Sequence, residues 1–417
     1  MMKSFILNSS NVERDGFIWN MAGSMLMAFQ SVIFLVILTR TVDLTTAGVF
    51  TIAYANANLF INIGKYGMRN YQVSDVKDEY NFQEYLKSRW ITTGSMIIVS
   101  ILYVWGTTYI KHYSFEKCQI IIWMCLLKVP DAIEDVYYGD YQKKGRLDIA
   151  SKAMTIRALF TTILFAIVIS LTRNLLLTLV ISVCCSSIVL FIFLSWTYVE
   201  FKDMNIKRKG RVRALLMNCF PFFLSNFLAF YIGNAPKYAI DAQLSDELQA
   251  YYGFIAMPVF VIGLLNSFIF TPMLYPLSCA WNERKKNIFY KMLFIQIVIV
   301  IITTIVCVLG AYILGIPLLS FLYNTDLSDY RRELMILLFG GGLLGLAGVL
   351  NTIITIVRFQ GALVIGYGIV SGIALLTSNY VVKGYGIMGA SCLYTMLMTL
   401  LCICFGFIMI VGIKRKW

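Results

Sequence analysis

The sequence predicts an all-α, polytopic membrane protein with about twelve transmembrane helices in two six-helix lobes. Composition is the first observation behind this fold class. Hydrophobic residues occupy 59% of the 417 positions and charged residues only 14%, whereas soluble globular proteins average about 45–50% and about 25%. So few charges cannot form a water-soluble surface around so much apolar material. Lipid is therefore the expected solvent for most of the chain.

The spacing of apolar segments is the second observation. A bilayer core requires about 20 helical residues, and twelve windows of about that length follow one another. They are 17–38, 47–64, 91–110, 118–138, 151–171, 175–198, 214–236, 250–276, 292–314, 334–354, 361–379 and 388–412. The fourth contains Pro130, which is expected to bend it. The tenth contains Gly340, Gly341, Gly342 and Gly345, which we interpret as sites of close helix packing.

The distribution of basic residues predicts the orientation. With the N-terminus in the cytoplasm, 25 of the 35 Lys and Arg residues fall in inner connections and eight in outer ones. This asymmetry indicates that both termini are cytoplasmic. The net charge of +13 is then mainly an orientation signal with some affinity for anionic headgroups. The basic loops are too short to form a nucleic-acid interface, so no nucleic-acid partner is expected.

Other residue counts exclude several classes of chemistry. His112 is the only histidine, which argues against a His-activated nucleophile and against a site with several His metal ligands. The ten cysteines contain no Cys-x-x-Cys pair and lie mostly in apolar runs as small packing residues. The polar segment 1–16 does not resemble a cleavable secretory signal. We expect no catalytic residue, no bound metal and no enzymatic activity.

The most basic connection divides the chain near its midpoint. The segment from Lys202 to Arg213 follows six predicted spans and precedes six more. It predicts an N-terminal lobe of residues 1–213 and a C-terminal lobe of residues 214–417. Two lobes with the same orientation are typical of many secondary transporters, in which the substrate passes between repeats. The alternative is a helical bundle without a substrate path.

Several short motifs, spread along the whole chain in order, resemble those of a known family. They are Trp19-Asn20-x-x-Gly23-Ser24, Thr39-Arg40, Ala47-Gly48-x-Phe50-Thr51-Ile52-Ala53-Tyr54-Ala55, Gly64-x-x-Gly67-Met68-Arg69-x-Tyr71-Gln72-Val73-Ser74-Asp75, Gly139-Asp140-Tyr141-Gln142-Lys143-Lys144-Gly145-Arg146-Leu147-Asp148, Pro221-x-x-x-Ser225, Tyr251-Tyr252-Gly253, Pro276-Leu277-Ser278 and Gly384-Tyr385-Gly386-Ile387-x-Gly389-Ala390. The sequence resembles the Wzx-like polysaccharide-transport flippases of the multidrug/oligosaccharidyl-lipid/polysaccharide (MOP) exporter superfamily.

The resemblance implies a specific activity. Members of this family translocate an undecaprenyl-pyrophosphate-linked oligosaccharide from the inner to the outer leaflet of the bacterial cytoplasmic membrane. They work by alternating access of two six-helix lobes, in the assembly of O-antigen, capsule or exopolysaccharide. The implied partners are the lipid-linked oligosaccharide, membrane lipids, and a polysaccharide polymerase and glycosyltransferases.

Four basic residues are candidates for contact with the pyrophosphate. Arg40 and Lys237 stand near the ends of the first and seventh spans, and Lys65 and Arg69 near the inner end of the second. Arginine suits this task because its planar guanidinium bonds two phosphate oxygens at once. The alternative interpretation is that all four are interfacial anchors whose charges reach the headgroups.

Charged residues in the fourth span are candidates for ion coupling or gating. At 100° per residue, Lys128, Asp131 and Asp135 share one helix face, and Glu134 lies beside Asp131. Lys128 with Asp131 would be a neutralising pair, leaving Glu134 or Asp135 to bind H+, Na+ or a neighbouring cation. Arg157 on the fifth span is the expected cross-helix partner. The alternative is a structural salt-bridge cluster. We expect no cofactor other than a coupling ion.

Two other functional classes stay open. A membrane-bound polysaccharide polymerase or ligase would need a catalytic group on a large loop, and the longest outer connection, about Gly315 to Glu333, is short. A multidrug antiporter or a lipid II flippase of the same superfamily would share the fold. The motifs favour the polysaccharide flippase over both.

Overall fold

A computed structural model describes residues 2–75, 78–197, 211–270 and 273–416 of the chain. These residues form fifteen α-helices and one short 3₁₀ turn, with no β-strand among them. The first nine helices are α1 (Met2–Leu7), α2 (Val12–Thr41), α3 (Leu44–Lys65), α4 (Met68–Ser74), α5 (Phe82–Lys111), α6 (Phe115–Leu127), α7 (Val129–Lys143), α8 (Leu147–Thr172) and α9 (Leu175–Thr197). The remaining six are α10 (Val212–Gln243), α11 (Asp246–Phe270), α12 (Leu274–Asn282), α13 (Lys286–Tyr323), α14 (Arg331–Ile356) and α15 (Gly361–Lys416).

The predicted all-α polytopic fold is confirmed. Each of the twelve predicted spans coincides with a helix or a pair of helices within the described ranges. Nine of the described helices are long and apolar enough to cross a membrane. One of these nine, α15, contains two predicted spans, because the non-helical backbone of Gly386 (φ 58°, ψ −138°) interrupts it. Glycine adopts this positive φ without the steric cost that a side chain would add.

The surface of the helices is as apolar as a membrane protein requires. Large side chains that would destabilise a protein in water are widely exposed, including Phe191 at 75%, Leu376 at 84% and Trp105 at 75%. In lipid these side chains contact hydrocarbon, so their exposure costs no hydrophobic free energy. The chain is a multi-pass membrane protein.

The chain forms two compact units, Met1–Phe227 and Leu228–Trp417. The boundary lies inside α10 rather than in the basic connection, most of which falls outside the described residues. The first half of α10 packs within unit 1, where Phe223 stacks on Tyr66 at a ring-centroid distance of 4.6 Å. The side-chain amide of Asn218 donates to the hydroxyl of Tyr80 at 3.1 Å. These contacts place residues 214–227 in unit 1.

The fourth predicted span is broken in its middle. Helix α6 ends at Leu127 and α7 begins at Val129, with Lys128 between them in a tight turn. Pro130 stands in the first turn of α7, where its missing N–H leaves no helical hydrogen bond unmade. The predicted bend is thus a helix restart, which places the charged residues of this span at the beginning of a new helix.

The glycines of the tenth span are packing positions, as predicted, and α14 runs through them as one helix. A Cβ atom on Gly340 would lie 2.7 Å from the Tyr394 ring. One on Gly342 would lie 2.4 Å from the side chain of Thr304, and one on Gly345 would lie 2.1 Å from the amide of Asn266. Glycine at these positions therefore lets α11, α13 and α15 approach α14 closely.

We predict that Gly342→Ala destabilises the protein, whereas Gly348→Ala does not. The new methyl group at 342 overlaps Thr304, and overpacking of this kind costs about 1–3 kcal/mol. Position 348 is on the same helix with open space around its Cβ, and alanine there improves helix propensity. Thermal unfolding of the purified variants in detergent measures the difference. Equal melting temperatures would contradict the packing role of Gly342.

Candidate functional site

A buried ion network surrounds the start of α7 in unit 1. Arg157 on α8 donates through Nε and Nη2 to both carboxylate oxygens of Glu134, at 2.7 and 2.6 Å. The same Nη2 also pairs with Asp131. The Nη1 atom donates to the hydroxyl of Ser186 on α9 at 2.9 Å. The guanidinium is only 3% exposed, so it joins α7, α8 and α9 through charge-assisted hydrogen bonds.

Asp135, one turn further along α7, pairs with a second buried arginine. Arg89 on α5 donates to its carboxylate at 2.8 Å and also to the backbone carbonyl of Gly64. Arg69 on α4 approaches the same carboxylate at 3.9 Å, and its remaining nitrogens donate to Gln142. Arg89 is completely buried. This second pair therefore fastens α7 to α3, α4 and α5.

Further charges and hydroxyl groups complete the network. Lys128 approaches Asp131 at 3.5 Å and lies over the ring of Tyr54, 4.9 Å from its centroid. The hydroxyl of Tyr138 donates to Glu134 at 3.1 Å. Lys65 adds a favourable electrostatic interaction with Asp131. Every carboxylate of this span therefore has at least one cationic partner.

The family-like motifs supply the small residues that bring these helices together. A Cβ on Gly64 would lie 3.0 Å from Ala132 of α7, and one on Gly139 would lie 2.4 Å from the Gln72 side chain. Gln72 in turn donates to the carbonyl of Val136 at 3.1 Å. The motif glycines thus allow the short side chains of α7 carboxylates to reach arginines on neighbouring helices.

This network is consistent with the structural alternative for the fourth span. Its three carboxylates are all bonded to guanidinium groups, so H+ or Na+ would have to displace an arginine in order to bind. A buried ion pair loses about 3–5 kcal/mol when one partner is removed, because the other charge is left uncompensated. The arrangement therefore stabilises α7 strongly in the described conformation.

Unit 2 contains a cavity of about 530 Å³ with a cationic group at its wall. Lys237 on α10 is half-buried there, between Asn234 on the same helix and the faces of α11, α14 and α15. Within the described residues, Lys237 makes no ion pair and no hydrogen bond. The cavity is lined by Ala229, Phe230, Gly233, Asn234, Lys237, Tyr252, Ala256, Val259, Phe260, Gly263, Leu337, Leu344 and Tyr394.

Among the described residues that line this cavity there is no carboxylate. Lys237 is therefore an uncompensated cation among mainly apolar side chains, which is an energetically costly arrangement in a membrane protein. A positive charge in such a setting favours an anionic ligand. The volume lies within the range of about 300–1,000 Å³ typical of small-molecule sites. This cavity is a candidate binding site within unit 2.

The four predicted pyrophosphate contacts occupy different environments. Arg40 is exposed in the last turn of α2, and Lys65 ends α3. The 22 residues of α3 separate them by about 30 Å at 1.5 Å per residue, so these two residues cannot bind one pyrophosphate together. The guanidinium of Arg69 already pairs with Asp135 and donates to Gln142. Lys237 lies within α10, six residues before its end at Gln243, and not at the end of a span.

The sequence alone did not identify Arg89 as part of the ion network, or Tyr252 and Tyr394 as residues that line the Lys237 cavity. Arg89 lies between the predicted spans 47–64 and 91–110, and the sequence therefore predicts it in an inner connection, but α5 begins at Phe82 and buries it completely. The signal was present, because Tyr85, Ser88, Arg89 and Thr92 follow the i, i+3, i+4, i+7 pattern of one buried helix face. Nothing in the local sequence indicated that Tyr394 would lie near Lys237, since the two are far apart in the chain.

We predict that Arg157→Met strongly destabilises the protein. The substitution leaves Asp131 and Glu134 buried without their guanidinium, at a cost of about 3–5 kcal/mol. Lys144→Met is the control, because Lys144 pairs with Asp140 at a partly exposed site where an ion pair contributes about 0–1 kcal/mol. Thermal unfolding in detergent compares them. A melting temperature of Arg157→Met equal to that of the control would contradict the stabilising role of the network.

Comparison with solved structures identifies the fold. The chain aligns with the inward closed conformation of the lipid II flippase MurJ with a TM-score of 0.68 and 14% identity, over 94% of this chain and 90% of that one. It aligns with the inward-facing conformation of a multidrug resistance MATE family transporter of the MOP superfamily with a TM-score of 0.62 and 13% identity, over 93% and 94%. At these identities the likeness shows the fold.

Sequence comparison identifies the family. Residues 14–281 match the profile of the family described as "Polysaccharide biosynthesis protein". The chain is 25% identical over 266 residues to the capsular polysaccharide biosynthesis protein CapF of Staphylococcus aureus, which covers 63% of this chain and 66% of that protein. The alignment thus spans just under two thirds of CapF. The Wzx-like resemblance is confirmed, and the chain belongs to the polysaccharide biosynthesis protein family, with the fold of MOP-superfamily transporters.

Proposed function

We propose that this protein is a flippase that moves an undecaprenyl-pyrophosphate-linked oligosaccharide from the inner to the outer leaflet. Lys237 is the observation that carries the proposal, because an uncompensated cation in a largely apolar cavity suits the anionic centre of a lipid-linked sugar. Family membership and the similarity to CapF, a capsular polysaccharide biosynthesis protein, support a role in surface polysaccharide assembly. The transported oligosaccharide is a repeat unit for capsule, O-antigen or exopolysaccharide.

The same cavity argues against the multidrug antiporter. A cationic drug would be repelled by Lys237, and none of the described lining residues is a carboxylate that could attract it. A lipid II flippase would bind a ligand of the same anionic chemistry, and the family match favours polysaccharide precursors over it. A transport function in place of an enzymatic one agrees with the MATE family transporter and the lipid II flippase MurJ, which share this fold.

The proposal includes a location and a mechanism. The protein lies in the bacterial cytoplasmic membrane with both termini in the cytoplasm, which the excess of basic residues in alternate connections supports. Its two lobes alternate access to the two leaflets, and H+ or Na+ drives the cycle by displacing an arginine from one of the carboxylates Asp131, Glu134 and Asp135. A polymerase and glycosyltransferases act beside it. Arg40, which is remote from Lys65, is a second candidate contact for the passing pyrophosphate.

Depletion of the protein is expected to block surface glycan production. Lipid-linked repeat units should accumulate and stay inaccessible to sugar-modifying reagents added from outside, because the polar glycan cannot cross hydrocarbon unaided. Labelling of intact cells against lysed cells measures the accessible fraction. Unchanged surface glycan with externally accessible precursor would overturn the proposal.

We predict that Lys237→Ala lowers transport at least about tenfold, the effect expected when one charge-assisted bond to the ligand is lost. Lys237→Arg keeps the positive charge and should retain most transport. Lys383→Ala removes an exposed lysine of α15 in the same unit and should leave transport unchanged. The rate of precursor appearance at the outer leaflet, normalised to folded protein, is the measurement. Wild-type transport in Lys237→Ala would exclude this residue as the anion contact.

We predict that at least one of Asp131→Asn, Glu134→Gln and Asp135→Asn reduces transport per folded molecule if the network couples an ion to the cycle. Transport is normalised to the amount of folded protein because each carboxylate also bonds a buried arginine, so that each substitution affects stability as well. Transport measured with and without a proton or sodium gradient separates coupling from stability. Undiminished transport in all three variants would reject the coupling role and leave the network a purely structural one.

A further inference from the structure

The cavity around Lys237 is strongly amphipathic. Its polar groups are concentrated in a small set: the ammonium of Lys237, the amide of Asn234, and the hydroxyls of Tyr252 and Tyr394. The Asn234 amide already donates to the carbonyl of Phe230 at 3.0 Å. Neither tyrosine hydroxyl forms a hydrogen bond within the part of the chain that the structure describes. The site therefore offers one cation and two hydroxyl donors to a ligand.

The rest of the wall is hydrocarbon. Its apolar side chains include Phe230 on α10, Ala256, Val259 and Phe260 on α11, and Leu337 and Leu344 on α14. Burial of an apolar chain against such a wall is favourable, and burial of sugar hydroxyls is not, because each would lose its bonds to water without a new partner. The cavity thus discriminates between the two ends of a lipid-linked sugar.

From this arrangement we infer that unit 2 binds the junction between the pyrophosphate and the isoprenoid carrier and leaves the glycan outside the cavity. This inference rests on the proposed function and specifies which part of the substrate this site recognises. Lys237, Tyr252 and Tyr394 donate to the phosphate oxygens, and the apolar wall holds the first isoprene units. A volume of about 530 Å³ suits a ligand of drug size and is too small to enclose a complete repeat unit with its carrier.

The arrangement has a consequence for specificity. Recognition at this site depends on the carrier, which is common to all repeat units, and is insensitive to sugar identity. Selectivity for the glycan then has to arise from other residues of the protein. A short isoprenyl pyrophosphate without any sugar is accordingly expected to bind.

Binding of farnesyl pyrophosphate to the purified full-length protein in detergent tests the inference. It should bind at least about tenfold more tightly than inorganic pyrophosphate, which lacks the chain, and than farnesol, which lacks the charge. In Lys237→Gln, farnesyl pyrophosphate should bind no more tightly than farnesol. Isothermal titration calorimetry supplies the affinities, and a thermal melt of each variant verifies that it is folded.

A cavity-filling variant tests the apolar wall separately. Gly233 lines the cavity with open space at its Cβ, so the side chain of Gly233→Leu would occupy the space assigned to the isoprene units. It should weaken farnesyl pyrophosphate at least about tenfold and leave inorganic pyrophosphate unchanged. Gly310→Leu on α13, also open at its Cβ and outside the cavity, is the matched control.

The outcomes separate this inference from the proposed function. If farnesyl pyrophosphate binds no better than inorganic pyrophosphate, or if Gly233→Leu binds it like wild type, the junction is not held here. Precursor transport in cells would then still support a flippase. If the ligand binds as expected but depletion leaves surface glycan unchanged, the cavity recognises isoprenyl pyrophosphates and the proposed transport function is wrong.

Discussion

The neutralisation of charge inside a membrane is the constraint on which unit 1 depends. A carboxylate or guanidinium removed from water is stable only where a partner of opposite charge and full hydrogen bonding replaces its hydration. Arg157 meets this requirement by bonding Asp131, Glu134 and Ser186 from one side chain. Because these partners belong to α7 and α9, a single guanidinium holds three helices in register.

Close helix approach is the second requirement, and it follows from the first. Aspartate side chains are short, so Asp135 meets Arg89 only if α7 lies against α3 and α5. Gly64 permits that approach, since a Cβ there would lie 2.9 Å from Met96 of α5 and 3.0 Å from Ala132 of α7, and Gly139 similarly lets Gln72 of α4 approach α7. Helices in lipid gain little from apolar burial against one another, so small residues and interhelical hydrogen bonds carry much of the association.

The two units differ in whether their buried charges are paired. In unit 1 every carboxylate of α7 is paired, and the surrounding cations are largely engaged in those pairs. In unit 2 Lys237 faces a cavity whose lining, as far as the structure describes it, contains no carboxylate. A compensated network stabilises one conformation, whereas an uncompensated cation is stabilised further when an anion arrives. This difference separates charges that hold the fold from the charge that we assign to ligand binding.

The sequence by itself determined the fold class, the positions of the membrane spans and the family. These depend on properties that local residues carry alone: the length of apolar segments and short motifs. The interpretation of Gly340, Gly341, Gly342 and Gly345 as packing positions succeeded for the same reason, since a glycine cluster in an apolar helix has few other uses.

Only the tertiary structure decided which charges act together. The sequence suggested Arg157 as a partner for the fourth span, but it placed Arg89 in a loop and left Asp135 without its buried arginine. It grouped Arg40 with Lys65, although α3 holds them a helix length apart. It could not show that Tyr252 and Tyr394 lie at the cavity of Lys237. Pairing between helices depends on their packing in space, which residues distant in the chain determine jointly.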